Sequence, residues 1–432
     1  MINMESYAII NTEIKNKEEN DMFEYYDKHE MLIPIKIWTS SIEDIEENCI
    51  EQAVHLANLP FAHDHIALMP DTHTGKGMPI GGVIACKNTV IPNAVGVDIG
   101  CGMAFVQTDI PVKLLRETVT GSGELIKLIV GNILRTIPVG FNHYKKPQQS
   151  AVLDKAQAEI YKYNADEALI GFINDGYMSA GSLGGGNHFI EIQEDESGYA
   201  CIMLHSGSRM FGNEIGQYFN RIAHEINAKY FTSVPAEFNL PFLPVDSDEG
   251  QHYLNWMHLA MDFAYENRAI MLEKVKQIFT EQVEKYTSLV PQYTNEINCH
   301  HNYAALENHY GENVWVHRKG AIHAADGEIA IIPGSMGSNS YIVRGTGNAE
   351  SFMTSSHGAG RRYSRMGAKE RFSVESVMVD LKERNVVLGK NNKKDVAEEC
   401  RNAYKDIDTV MENQKDLTIP VKKMFTVGVV KG

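Results

Sequence analysis

The chain lacks most of what would tie it to a membrane, a secretory route or a disulfide scaffold. No stretch of its 432 residues approaches the run of about 18 apolar residues that a spanning helix needs. The opening stretch, Asn16 to Asp27, is polar and acidic, where a signal peptide would be basic and then apolar. Cysteine is sparse: Cys49, Cys86, Cys101, Cys201, Cys299 and Cys400 are scattered without framework spacing, which fits a reduced, cytoplasmic setting. Positive charge is scarce too. Forty Lys and Arg stand against 56 Asp and Glu, a net charge of −16, which argues against a protein that coats nucleic acid nonspecifically. Repeats, low-complexity tracts and clear linkers are missing, so residues 1–432 are expected to form a single domain. A Walker A loop is missing as well: neither Asp71-Thr72-His73-Thr74-Gly75-Lys76-Gly77 nor Pro333-Gly334-Ser335-Met336-Gly337-Ser338 has P-loop spacing.

What is there is a chain 43% hydrophobic, enough for a large core. Charge is uneven. Residues 1–60 carry thirteen acidic and four basic side chains, a net of −9; residues 318–371 carry eight basic and four acidic, a net of +4. The second segment reads as a local basic groove or as an ordinary solvated face. Apolar spacing predicts helices over 42–59, 151–174, 213–231, 251–286 and 367–384. Short strands are expected at Ile66–Met69, Ile80–Cys86, Met103–Val106, Phe189–Gln193, Ala200–Leu204, Val314–His317, Glu328–Ile332, Tyr341–Val343 and Met424–Val430. Strands and helices do not alternate regularly, so an α+β architecture is expected rather than a doubly wound sheet.

Four glycine-rich turns carry reactive side chains: Asp98-Ile99-Gly100-Cys101; Gly184-Gly185-Gly186-Asn187-His188; His205-Ser206-Gly207-Ser208-Arg209; and His357-Gly358-Ala359-Gly360-Arg361-Arg362. Each has an ordinary explanation. A lone Cys101 is usually a small core residue, and His188 or His205 could be a satisfied core histidine. In Cys299-His300-His301-Asn302, adjacent histidines on an extended segment point to opposite sides, so at most one faces a given site. Together, one thiol, one carboxylate and several imidazoles make a ligand set for a borderline divalent metal. His357 differs, because Arg361, Arg362 and Arg365 follow it. Guanidinium groups beside an imidazole disfavour its cation, and arginine forks bind phosphate. That is equipment for phosphoryl or nucleotidyl transfer through histidine.

In this order, Asp98-Ile99-Gly100-Cys101-Gly102, the Gly184–Glu191 stretch, His205-Ser206-Gly207-Ser208-Arg209, His301-Asn302, Pro333-Gly334-Ser335-Met336-Gly337, Ser356-His357-Gly358-Ala359-Gly360-Arg361 and Lys431-Gly432 resemble the motifs of the RtcB family of RNA-splicing ligases. The likeness runs from about Pro70 to Gly432, while residues 142–177 and 235–295 carry no matching motif. It implies a mixed α+β fold with a central metal and nucleotide cleft. It implies a GTP- and Mn²⁺-dependent ligase joining RNA 3′-phosphate or 2′,3′-cyclic phosphate ends to 5′-hydroxyl ends, in RNA splicing or repair. His357 would attack the α-phosphate of GTP. Cys101 would bridge two Mn²⁺ ions, with Asp98 and His188 completing one shell and His205 and His301 the other; His300 is the alternative to His301. The resemblance places the guanine nucleotide on Asn187, His188, Phe189, Ile190, Glu191, His301, Asn302, Pro333, Gly334, Ser335, Met336, Ser340, His357, Gly358, Ala359, Gly360, Tyr404 and Lys431. Glu191 and Lys431 are the candidates for the guanine edge, and Arg209 and Arg361 for RNA or phosphate. The implied partners are RNA, GTP and, as for some family members, an activating protein; a membrane is not among them.

Overall fold

A computed structural model describes residues 13–16, 22–121 and 123–432. The acidic opening on which the no-signal expectation rests lies partly outside these residues, which omit 1–12 and 17–21. No helix among the described residues is long and apolar enough to cross a membrane.

In chain order the elements used below are β1 (Glu13–Asn16), β2 (Met22–Tyr26), β3 (Ile35–Trp38), α1 (Glu47–Ala57), β4 (Ala62–His73), β5 (Ile80–Cys86), β6 (Gly102–Pro111), α2 (Leu125–Thr136), α3 (Glu167–Ser179), β7 (Phe189–Asp195), β8 (Tyr199–Ser206), α4 (Arg209–Lys229), α5 (Asp248–Thr287), β9 (Tyr293–His300), β10 (Asn302–His309), β11 (Glu312–Lys319), β12 (Ala321–His323), β13 (Ile329–Ile332), β14 (Asn339–Gly345), β15 (Thr354–Ser356), α6 (Val374–Glu383), β16 (Val387–Gly389) and β17 (Thr418–Lys431). They form the expected mixed α+β structure. One sheet has the order β1-β2-β3-β4-β5-β11-β10, antiparallel except for β3 and β4. The other has the order β9-β6-β8-β7-β17-β14-β13, with β16 added in parallel to β17.

The second sheet is covered on both faces, and strand alternation sorts its side chains. Ala104, Val106, Ile190, Ile192, Ile202 and Leu204 pack against α2 and the second half of α5. Met103, Phe105, Phe189, Cys201, Met203, Met424 and Val429 face α6 and the chain around Ala403. In the first sheet Ile35, Ile37, Ile66, Leu68 and Ile84 pack against α1. A third layer joins α3, α4 and the first half of α5 through Phe211, Phe219, Tyr253, Trp256 and Phe263.

The site follows from this topology. In antiparallel order, β6 and β7 start at the edge where β8, β9 and β17 end. Cys101 precedes β6, His188 precedes β7, His205 is in the last turn of β8, His301 follows β9 and Lys431 ends β17. The register confirms one row: Phe189 lies opposite His205 on one side and Lys431 on the other, and His205 lies opposite Met103. His301 is also the single residue between β9 of one sheet and β10 of the other.

Three helical expectations break in the structure. Residues 42–59 divide into a 3-10 turn at Ile42–Asp44 and α1, with Ile45 extended between them. Residues 151–174 divide into Ala151–Ala158 and α3, because Asn164 turns left-handed (φ 43°) and Asp166 caps a fresh helix at Leu169 N–H. Residues 367–384 divide likewise, with Ser373 capping α6 at Ser376 N–H.

Candidate active site

The buried row converges on one sulfur. Cys101 Sγ lies 3.3 Å from His188 Nε2 and 3.3 Å from His205 Nε2. His188 Nε2 is 3.0 Å from Asp98 Oδ2, and His205 Nε2 is 2.9 Å from His301 Nε2. Outward, the rings face oxygens that can only accept: His188 Nδ1 meets Leu183 O at 3.0 Å, His205 Nδ1 meets Asn187 O at 3.3 Å, and His301 Nδ1 meets Asn302 Oδ1 at 3.2 Å. Each Nδ1 is therefore the donor, and each neutral ring presents its Nε2 lone pair inward. Burial pushes His205 and His301 well below the usual histidine range. Burial, reinforced by the charge of Asp98, pushes the Cys101 thiol well above its usual range. Burial alone would raise Asp98, yet the polar neighbours of its carboxyl hold it at about 2. Glycine is required beside it, since a Cβ at Gly207 would stand 2.2 Å from Asp98 Oδ1. Cys101, His188 and His205 form a group fit to hold a metal ion. Inward lone pairs around one thiol and one carboxylate suit a borderline divalent cation.

Next to this cluster stands His357, its ring centroid 4.7 Å from that of His301. It follows the short pair β12–β15, and its neighbour is a carboxylate. Asp71 Oδ2 accepts from His357 Nδ1 at 2.7 Å and from the backbone N–H groups of His357 and Gly358, each at 3.2 Å. Asp71 is wholly buried near the end of β4, and Lys405 Nζ pins its flanks by donating to Pro70 O and Thr72 O. The approach is so close that a Cβ at Gly360 (φ +71°) would fall 2.1 Å from Asp71 O. With Nδ1 donating, Nε2 is the free nitrogen of the ring. Of the arginines that follow it, Arg361 and Arg365 line the same cavity as His357. Arg361 donates to Tyr363 O, Tyr404 Oη, Glu399 and Glu398 O, and lies over the Tyr404 ring.

His357 lines a cavity of about 160 Å³ shared with Asn187, Phe189, His205, Ser335, Tyr404 and Lys431. Beyond it a larger cavity of about 590 Å³ reaches Asp98, Arg209 and Lys390. Arg365 and Glu399 line both. Glu399 is a hub, accepting from Tyr404 Oη at 2.5 Å, Lys431 Nζ at 3.3 Å and Arg361 Nη1 at 3.3 Å.

The family model described as tRNA-splicing ligase RtcB matches residues 52–432. The RNA-splicing ligase RtcB of Escherichia coli (strain K12) is 40% identical over 404 residues, covering 92% of this chain and 97% of that protein. The tRNA-splicing ligases RtcB of Methanococcus maripaludis and Thermococcus kodakarensis are each 30% identical, covering 93% and 94% of this chain and 95% and 96% of their own. The chain belongs to the RtcB family.

With RtcB membership in hand, the expected residues can be placed one by one. Asp98, Cys101, His188, His205 and His301 are brought together. His300 turns away, its Nδ1 lying 2.9 Å from Gly100 O and 3.1 Å from Arg268 Nη2. Pro333, Gly334, Met336, Gly358, Ala359 and Gly360 complete the smaller cavity's wall. Glu191 and Ser340 lie behind that wall. Glu191 Oε2 accepts from Gln193 Nε2 at 2.7 Å and Thr426 Oγ1 at 3.2 Å, and burial raises its carboxyl to about 7. Ser340 Oγ accepts from Gly334 N–H. Asn302 braces rather than lines: it donates to Asp98 O and accepts from Gly320 N–H. Ile190 faces the opposite core, so only its backbone belongs to this side. Arg209, at φ +59° on the first turn of α4, donates to Ser182 Oγ and Gly140 O and lines the larger cavity.

The basic 318–371 segment is less basic at the surface than its composition suggests. Arg318 is wholly buried against Glu307, and Lys319 donates to three backbone carbonyls, those of Lys76, Met78 and Asn93. Sequence reasoning also missed Asp71 and Glu399. The signal for Asp71 was present: a polar cluster ending an apolar strand, set aside once its glycines failed the P-loop pattern.

Proposed function

We propose that the chain is a GTP- and Mn²⁺-dependent RNA ligase that joins 3′-phosphate or 2′,3′-cyclic phosphate ends to 5′-hydroxyl ends, with both sheets acting as one catalytic domain around a central cleft. The observation that carries the reading is the Asp71–His357 Nδ1 bond, in a ring that lines the smaller cavity and adjoins the cysteine–histidine cluster.

The chemistry follows from those atoms. His357 Nε2 attacks the α-phosphorus of GTP, an N–P bond forms, and pyrophosphate leaves with the electrons of the broken P–O bond. Asp71 accepts from Nδ1 throughout and offsets the charge that develops on the ring. An oxygen of the RNA 3′-phosphate then attacks the same phosphorus, and the N–P bond breaks back onto His357. Finally the 5′-hydroxyl attacks the activated 3′-phosphate, GMP leaves, and the hydroxyl proton is lost. A cyclic phosphate is first opened by water. The cluster divides into two half-sets around one sulfur, and Asp98 with His188 and His205 with His301, each together with Cys101, would hold the ions. Mn²⁺ held there would neutralise phosphate charge and favour in-line attack. Glu191 and Lys431 would read the guanine edge, and Arg209, on the larger cavity, and Arg361, on the smaller, would meet RNA or phosphate.

The test uses α-labelled GTP with Mn²⁺, followed by RNA with a 2′,3′-cyclic phosphate end and RNA with a 5′-hydroxyl end. Acid-labile label on the wild type, none on His357→Ala, and a joined RNA product are expected. Label retained by His357→Ala would overturn the reading. Phosphate release without label would make the protein a metal-dependent phosphohydrolase instead.

A further inference from the structure

The long helix α5 lies in a region without recognisable motifs, yet it carries two fully buried polar residues at the back of the cluster, Asn267 and Arg268. Arg268 Nη1 donates to Gly100 O at 2.8 Å and to Ser206 O at 3.0 Å. Its Nε donates to Asn298 Oδ1 at 2.7 Å, and its Nη2 lies 3.1 Å from His300 Nδ1, the nitrogen that also meets Gly100 O at 2.9 Å. These partners are next to Cys101, next to His205 and next to His301. Asn267 Oδ1 accepts from Gly181 N–H at 2.7 Å and Ser182 N–H at 3.2 Å, on the segment leading to His188. Its Nδ2 donates to Gly207 O at 3.0 Å, beyond His205. Two adjacent side chains thus touch every segment that bears a cluster residue.

The other fully buried arginine gives the contrast. Arg318 is bidentate to the Glu307 carboxylate, at 2.5 and 3.0 Å, as a buried cation ordinarily is. The acceptors of Arg268 are all neutral. A buried charge without a carboxylate partner is costly to keep for packing alone. Nor does α5 need it as an anchor. Tyr253, Trp256, Met257 and Phe263 hold one half of the helix in the helical layer, and Met271, Leu272, Val275 and Phe279 hold the other against the second sheet. The helix also presses directly on the cysteine loop, since a Cβ at Gly100 would meet Met261 Cα and Ala264 Cβ, each at 2.9 Å.

We propose that Arg268 and Asn267 are positioning residues of the metal centre, a splint on α5 that sets the loops of Asp98 and Cys101, His188, His205 and His301 in a preformed arrangement. The inference rests on the metal reading of the cluster. One planar fork fixes two carbonyls and a ring in mutual register, which the single ammonium of lysine cannot do.

The test measures Mn²⁺ affinity and stoichiometry by electron paramagnetic resonance of the free ion, with metal-free thermal unfolding alongside, for wild type, Arg268→Met, Arg268→Lys, Asn267→Ala and Arg318→Met. Arg268→Met is expected to weaken Mn²⁺ binding by about 10- to 100-fold, the range for lost supporting partners of metal ligands. Arg268→Lys should recover little of it, and Asn267→Ala should fall in the same range. Arg318→Met should unfold at lower temperature yet keep its Mn²⁺ affinity. A folded Arg268→Met or Arg268→Lys with wild-type affinity overturns the proposal, and so does an equal loss in Arg318→Met, which would mean general softening. If Arg268→Met does not fold, Asn298→Ala removes one of its partners and should weaken Mn²⁺ by a smaller factor, with no change counting against the splint. A wild type that binds no Mn²⁺ refutes the metal reading itself.

Discussion

The cysteine–histidine cluster and the His357–Asp71 pair stand side by side, yet they are built on different principles. The cluster comes from strand ends along one edge of a single sheet, and its imidazoles turn neutral lone pairs toward a shared sulfur. The pair is assembled between the short pair β12–β15 and the first sheet, with the histidine following β15 and the carboxylate near the end of β4. In the first, burial suppresses charge on His205 and His301, so a cation from outside is what the arrangement favours. In the second, a fixed anion is already in place against the ring. One half is arranged to receive positive charge, and the other is arranged to bear positive charge developing on its histidine. In the proposed reaction such a division would keep the centre that organises the electrophile and the attacking histidine in contact without each cancelling the other.

The comparison can be broken by mutation. The largest effect is expected for Cys101→Ala, which removes the sulfur common to both half-sets: formation of labelled protein should fall by more than about 10³-fold, with Mn²⁺ stoichiometry falling in parallel. Wild-type labelling would make the sulfur an ordinary core atom. Asp71→Asn comes next. An isosteric amide should slow labelling by about 10²- to 10⁴-fold, as loss of the acid that orients a catalytic imidazole does elsewhere, while Mn²⁺ affinity stays at the wild-type value. If Mn²⁺ affinity falls too, the two halves are not separable. Glu399→Gln should act between them, raising KM for GTP by about 10-fold through the loosened Lys431 and Tyr404, with kcat less affected. A change confined to kcat would place Glu399 in the chemical step.

The smallest effect concerns stability. Burial raises Glu191 to about 7, above its unfolded value, so the folded chain binds the proton more tightly. The sign follows: its stability contribution is complete below the unfolded value near 4.5 and is lost as pH rises to about 7. Glu191→Gln should therefore raise the unfolding temperature relative to wild type at pH 8 and make no difference at pH 4. The difference should be on the order of 3 kcal/mol at most. A gain that persists at pH 4 would assign it to packing instead of ionisation.

The cluster was legible in the sequence because strand ends with glycine-rich turns carry their reactive residues in short, unusual motifs. The alternation argument for His300 and His301 also matches the geometry, since one faces the cluster and the other faces Arg268. Asp71 was not legible, because its meaning depends on a histidine 286 positions away. Neighbours in sequence misled at Arg361, whose donors go to Glu398, Glu399, Tyr363 and Tyr404 instead of to the histidine four residues before it. The strands β9 and β10 were missed because they are partly exposed and polar, whereas α2 was missed although Leu125, Ile126, Ile129, Val130 and Ile133 recur at helical spacing. Asn267 and Arg268 were hidden for a related reason: on an amphipathic helix, two polar residues among apolar ones read as noise until the loops they hold are in view.

The row that sets Phe189 opposite both His205 and Lys431 has a consequence for how the gene can change length. Deleting or inserting one residue within the β7–β8 ladder, which pairs Phe189–Glu194 with Ala200–His205 without a bulge, would invert the facing of everything from that point to the nearest end, turning a reactive side chain into the opposite core. The tight turn from β7 to β8 at Glu196–Gly198 has no such bookkeeping. Length variation among functional descendants of this chain should therefore collect in that turn and be absent from the unbroken Phe189–Glu194 ladder of β7.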